Sequence, residues 1–261
     1  MPTTTTADGV RIEHATIGAG PDLVLVHGLT DSSLTWGPIT PLLAEHYRVT
    51  TLDLRGMGGS GNAGDYGVLS MVNDLDAVVE AAGVTHPLLI GHSLGGAVVT
   101  AYASVGSARG VINVDQPLRL AGFQAGLLGV AALLRDPATF PSVIQAIFGA
   151  MDGDQLTAAQ VDQIAANRRQ RQEVVLGVWN AVIDLPLADL EAMAQDMTSG
   201  IHVPYLSLQF GDFGADYGDW LHHLLPQASI ETWAVDGGEL GHYGHRLQPE
   251  RFVETVLSFD R

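Results

Sequence analysis

Residues 88–96 read Leu-Leu-Ile-Gly-His-Ser-Leu-Gly-Gly, an apolar run that stops at a serine with a glycine two positions to either side. The run has the length and composition of a buried strand, and the segment from Leu94 to Val105 has those of a helix. Gly91-His92-Ser93-Leu94-Gly95 is therefore a G-x-S-x-G turn between strand and helix, the setting in which that pattern carries chemistry. A serine on so sharp a turn takes strained dihedrals, and side chains at 91 and 95 would crowd the neighbouring turns. Its hydroxyl then stands above the sheet, and the first amides of the following helix point at the same spot, favouring a developing oxyanion. A glycine-rich packing turn is the other reading of these residues.

Outward from this turn the chain alternates short apolar strands with helical patterns. Strands are expected in "VRIEHATIG", "PDLVLVHG", "RVTTLDLRG", "PLLIGHS" and "RGVINVDQ", with helices around "WGPITPLLAEHY", "LSMVNDLDAVVEAAGV" and "LGGAVVTAYASVG". Continuous apolar strands alternating with helices predict an α/β fold, a mostly parallel sheet of about eight strands covered on both faces. From Pro117 to about Gly200 only helical patterns occur, such as "DQLTAAQVDQIAANRRQRQEVVLGVWNAVI". Strand "VPYLSLQF", the helical "WLHHLLP", strand "SIETWAV" and helix "PERFVETVLSF" then resume the alternation. This divides the chain into a core of residues 1–116 and 201–261 and a helical cap over 117–200. Beyond the threonine run at 3–6 there is no repeat or low-complexity segment.

Composition excludes several classes of function. The 261 residues are 46% hydrophobic, enough for a substantial core, and carry 29 acidic side chains against 12 basic ones, a net charge of −17. So negative a surface repels phosphate backbones, and no nucleic-acid partner is expected. Every basic residue is an arginine, which removes Schiff-base and Walker-type lysine chemistry; the absence of cysteine removes thiol nucleophiles and thiolate metal sites. The histidines lack zinc-ligand spacing, so neither metal nor cofactor is expected. The segment 120–134 is too short to span a bilayer, and the start shows no secretory signal, so a cytoplasmic protein without membrane insertion is expected. The sequence does not decide the oligomeric state. Residues 55–61, "RGMGGSG", hold a literal G-x-G-x-x-G after a strand, but "NAGDYG" follows where a dinucleotide site needs a helix.

The chain resembles the α/β-hydrolase superfamily along nearly its whole length. The resemblance rests on "LVLVHG" at 23–28, "TLDLRGMGGS" at 51–60, "GHSLGG" at 91–96, "VPYLSL" at 203–208 and "GHYGHRLQPERFVETVLSF" at 241–259. It implies that Ser93 is the nucleophile and that the backbone amides of Leu29 and Leu94 form the oxyanion hole. The extended glycine version of the His-Gly loop is missing from "HGLTD", which argues against bulky tertiary-alcohol esters. A serine needs a base to take its proton. His242 stands where the family carries its histidine, after the last strand and seven residues before Pro249, with His245 as the fallback. His222 and His223, adjacent on a helical pattern, read as surface residues.

Two positions compete for the acid. The family commonly places it three residues beyond a glycine at the end of the strand that is here "YLSLQF"; counted from Gly211, that position holds Gly214. Asp212, Asp216 and Asp219 lie nearby and out of register, and "GDFGADYGDW" also reads as an acidic turn before a helix. Some superfamily members carry the acid after the strand that here ends at Val114, a place held by Asp115. There a carboxylate at a buried strand end needs a partner, and the His242 imidazolium would serve. Asp115 could instead cap the first cap segment or bond a backbone amide. It is the preferred acid, ahead of Asp216 and then Asp212.

Members resembling haloalkane dehalogenases or epoxide hydrolases attack with an aspartate, so Ser93 points to acyl transfer to water. The expected activity is hydrolysis of a carboxylic ester of a hydrophobic, uncharged small molecule through an acyl-enzyme. Lactone hydrolysis is the nearest alternative, and a small-molecule receptor with slow or no turnover is the alternative from another class. Leu118, Phe123, Leu127, Leu128, Phe140, Ile144, Phe148 and Trp179 supply apolar surface in the cap for such a pocket or for the cap's own core.

Overall fold

Apolar residues alternate across the central strands so that each strand feeds two cores. The computed structural model describes residues 1–152, 155–234 and 240–261. Its strands are β1 (Thr3–Thr5), β2 (Arg11–Ile17), β3 (Asp22–Val26), β4 (Arg48–Leu52), β5 (Leu88–His92), β6 (Gly110–Val114), β7 (Tyr205–Gln209) and β8 (Ala228–Thr232). They form one sheet in the order β1-β2-β4-β3-β5-β6-β7-β8. β1–β2 and β2–β4 pair antiparallel and the remaining neighbours are parallel. On β3, Val24 and Val26 enter one core while Leu23 and Leu25 enter the other, as the period of two requires.

The helices are α1 (Thr40–Leu43), α2 (Val68–Ala81), α3 (Leu94–Val105), α4 (Ala121–Arg135), α5 (Phe140–Asp152), α6 (Ala158–Asn167), α7 (Gln172–Asp184), α8 (Leu187–Thr198), α9 (Tyr217–Leu224), α10 (Gly244–Leu247) and α11 (Pro249–Phe259). α2 and α3 pack on the face that includes Val24 and Val98, and α1 and α11 on the face that includes Leu23 and Phe252. α4–α8 form one insertion between β6 and β7, and their apolar sides (Leu127, Phe148, Trp179) join the first core. Among the described residues no helix is long and apolar enough to cross a membrane.

Three local expectations are revised. The Thr3–Thr5 run, legible only as a compositional oddity, is an antiparallel edge strand registered on Arg11–Glu13; β-branched threonines suit a half-exposed pleat. The helix expected over "WGPITPLLAEHY" shrinks to the four residues of α1, preceded by a 3₁₀ turn at Ser33–Trp36. The helical run after Asp154 breaks between α6 and α7, where Arg168 turns to extended backbone. There the Arg169 amide donates to the Thr30 carbonyl at 2.8 Å, so a tertiary partner displaces the helical one. Val235, expected in the last strand, lies outside the described residues.

Candidate active site

The elbow has the geometry its sequence implies. Ser93 sits at φ 51° and ψ −128°, between β5 and α3. A Cβ at Gly91 would land on the Gly95 carbonyl, and one at Gly95 on the Val26 carbonyl, so both positions require glycine. Thr30 (φ 66°) and Asp115 (φ 54°) are also left-handed, which places three of the four described non-glycine residues with positive φ at this site. Each such conformation costs on the order of 1–3 kcal/mol, held by the surrounding packing.

The loop after β3 passes close over the elbow: a Cβ on Gly28 would lie 3.0 Å from the Ser93 Cβ. His27 shapes that loop. Its Nε2 accepts the Leu54 amide at 3.0 Å, so Nδ1 carries the proton donated to the Gly28 carbonyl at 2.7 Å. Leu29 follows directly, and Leu94 opens α3, where first-turn amides have no intrahelical acceptor.

His242 Nδ1 lies 2.7 Å from Oδ2 of Asp115, the residue after Val114, whose carbonyl accepts the Ser93 amide at 2.9 Å. The second carboxylate oxygen of Asp115 accepts the Phe210 amide at 2.8 Å, so both oxygens of this buried group are engaged. Sequence reasoning treated an amide bond and a pairing with histidine as competing roles; the carboxylate performs both. With Nδ1 donating to Asp115, the free nitrogen of His242 is Nε2, the one able to accept a proton.

The remaining candidates lie apart from this pair. Asp216 precedes α9, is 74% exposed and bonds Arg119 at 2.6 Å, which lowers its pKa. Asp212 accepts the Gly214 amide within its own turn, and His222 and His223 are exposed on α9. His245, the fallback base, is fully buried among Trp36, Phe210 and Phe252, and neither ring nitrogen has a partner among the described residues. Burial drives its pKa well down, with the nearby Arg246 acting in the same direction. The glycines of 55–61 form an internal turn in which Asp53 accepts the Ser33 and Gly59 amides.

Several contributors were not legible in the sequence. His92, between the motif's glycine and serine, is fully buried; its Nε2–H donates to the His242 carbonyl at 2.8 Å and its ring lies 4.5 Å from that of His242. Burial, then the neighbouring His242 and His245, push its pKa well below 6.5. Asp31, Tyr243 and Arg168 form a second buried cluster: the Tyr243 hydroxyl donates to Asp31 at 2.8 Å and accepts from Arg168 at 3.2 Å. The only sequence signal was adjacency, since His92 touches Ser93 in the chain and Tyr243 touches His242.

Residues 21–161 match the family described as the alpha/beta hydrolase fold. The chain belongs to that family. Among curated proteins, it is 33% identical over 150 residues to an uncharacterised protein of Mycobacterium tuberculosis, covering 53% of this chain and 44% of that one. It is 32% identical over 124 residues to the N-formylmaleamate deformylase of Pseudomonas putida, covering 46% of each chain. The chain thus matches less than half the length of these relatives. A putative aryl esterase from Burkholderia cenocepacia superposes with a TM-score of 0.76 at 26% identity, over 99% of this chain and 97% of that one.

Proposed function

We propose that this protein is a serine hydrolase that cleaves a carboxylic ester of a small, uncharged molecule through an acyl-enzyme. The observation that carries the reading is the 2.7 Å pairing of His242 with Asp115 beside the strained Ser93 elbow. His242 Nε2 takes the Ser93 proton as Oγ attacks the carbonyl carbon; the leaving alcohol receives that proton, and water, activated by the same nitrogen, releases the acid. Asp115 holds the ring in the Nδ1–H tautomer and stabilises the imidazolium. The amides of Leu29 and Leu94 receive the oxyanion. Residues 117–200 act as a cap over the 1–116 and 201–261 core, with Trp179 stacked on Phe148 and edge-on to Phe123 as an apolar wall. The likeness to a putative aryl esterase supports this class of substrate. Net charge −17 favours an uncharged substrate over an anionic one.

The test is hydrolysis of p-nitrophenyl esters, short to medium acyl chains, by the wild type and the Ser93→Ala protein. Turnover that falls at least about 10³-fold on substitution supports the reading, and undiminished turnover overturns it. The same machinery opens a cyclic ester, so comparing a lactone with its open-chain ester divides esterase from lactonase. Release of one equivalent of p-nitrophenol per chain, with the acyl group retained and no further turnover, would favour a receptor or a narrow lactonase instead.

A further inference from the structure

The catalytic proposal uses Ser93, His242, Asp115 and two amides, yet a second buried polar cluster lies against the same two loops. Asp31 is two residues beyond Leu29 and almost fully buried. Burial raises its pKa against the lowering effect of the Tyr243 hydroxyl. Tyr243 follows His242 directly and is itself buried. Its single hydroxyl proton goes to Asp31 at 2.8 Å, and its oxygen accepts from Arg168 at 3.2 Å. Arg168, just past α6, also binds Asp152 at the end of α5 through both carboxylate oxygens, at 2.5 and 3.0 Å. Its guanidinium lies 4.8 Å from the Phe148 ring centre and 5.4 Å from that of Tyr243.

Two backbone bonds run parallel to this chain. The His242 amide donates to the Met151 carbonyl at 2.9 Å, and the Arg169 amide to the Thr30 carbonyl at 2.8 Å. One stretch of the helical insertion therefore grips both the loop that supplies the Leu29 amide and the loop that carries His242. The Tyr243 hydroxyl is the side-chain group common to all three. A buried carboxylate with one hydroxyl donor is expensive to leave unpaired, so the three pieces hold one another in place.

We infer that Tyr243 is a positioning residue, whose hydroxyl locks the oxyanion loop at Asp31 to the base loop and to Arg168 of the insertion. This inference rests on the serine-hydrolase reading. It assigns Asp31 the same role, acting through Tyr243, and gives α5 and α6 a function beyond lining a pocket: they hold the oxyanion donor and the base in register.

The experiment compares Tyr243→Phe, Asp31→Asn and the double variant with wild type and Ser93→Ala. Phenylalanine keeps the ring, 5.1 Å from that of His92, and removes only the hydroxyl. Each single variant is expected to lose about tenfold in kcat with KM within about twofold, as for misregistered groups that still bind substrate. The double variant is expected to lose no more than the worse single one, because both remove one link. Amide hydrogen exchange supplies a readout independent of turnover. In Tyr243→Phe the Arg169 and His242 amides are expected to exchange about tenfold faster, while the Ser93 amide, bonded to Val114, stays unchanged. Full kcat in Tyr243→Phe, multiplicative losses in the double variant, or unchanged exchange at both amides overturns the inference. Undiminished turnover in Ser93→Ala defeats the hydrolase reading instead, and the exchange rates then still decide whether the hydroxyl ties the loops.

Discussion

The ends of β6 and β7 are neighbours in the sheet, and each sheds an aspartate into the next turn, yet the two turns behave oppositely. After β6, Asp115 is 9% exposed and holds His242 and the Phe210 amide. After β7, Asp212 bonds within its own turn and Asp216 faces Arg119 in solvent. The histidines divide in the same way: His92, His242 and His245 gather at the buried corner, while His222 and His223 stay exposed on α9. The same residue types are thus buried on one side and face solvent on the other. Desolvation makes the difference, because a buried charge interacts strongly with whatever partner it has, and an exposed one is screened.

The largest expected effect breaks or upholds that contrast directly. Asp115→Asn, which can still accept the Phe210 amide, is expected to lower kcat by about 10³–10⁴-fold on a p-nitrophenyl ester by removing the control of the His242 tautomer. Asp216→Asn is expected to stay within about twofold. If the two variants exchange these results, the acid belongs to the β7 turn.

A smaller effect is expected at His92. His92→Leu removes the donor to the His242 carbonyl and is expected to lower kcat about tenfold, whereas His92→Gln keeps an N–H at a similar reach and recovers part of the loss. Equal activity in both variants would reduce His92 to packing.

The third expectation concerns stability. His92 and His245 have folded-state pKa values well below 6.5, so between those values and 6.5 the unfolded chain binds more protons. Stability is therefore full above about pH 6.5 and falls as the pH drops below it, by up to about 1.4 kcal/mol per pH unit for each ring. Urea midpoints measured from pH 7.5 to 5 should show this slope, and His245→Leu should remove one histidine's share. A slope matching wild type in His245→Leu would refute the assignment.

Much of this architecture was legible in the chain. Strand–helix alternation foretold the parallel sheet, and the glycines around Ser93 foretold the elbow, because both are local patterns with local steric causes. Placing Asp115 with His242 needed a resemblance as well, since the pairing spans 127 residues of sequence and spacing alone left Asp216 and Asp212 open. Asp31 and Arg168 carried no signal, and Tyr243 only its adjacency to His242. Nothing in "RRQRQ" distinguishes the arginine that turns inward from those that stay in solvent.

By itself the sequence determined the alternating sheet, the strained turn at Ser93 and the exclusion of thiol and lysine chemistry, because these follow from residue size, periodicity and functional-group inventory. Only the tertiary structure decided which aspartate meets the histidine, which histidines are buried, and how α5 and α6 grip both loops. Those outcomes depend on burial, and burial is set by how distant segments pack rather than by the identity of the residue being buried.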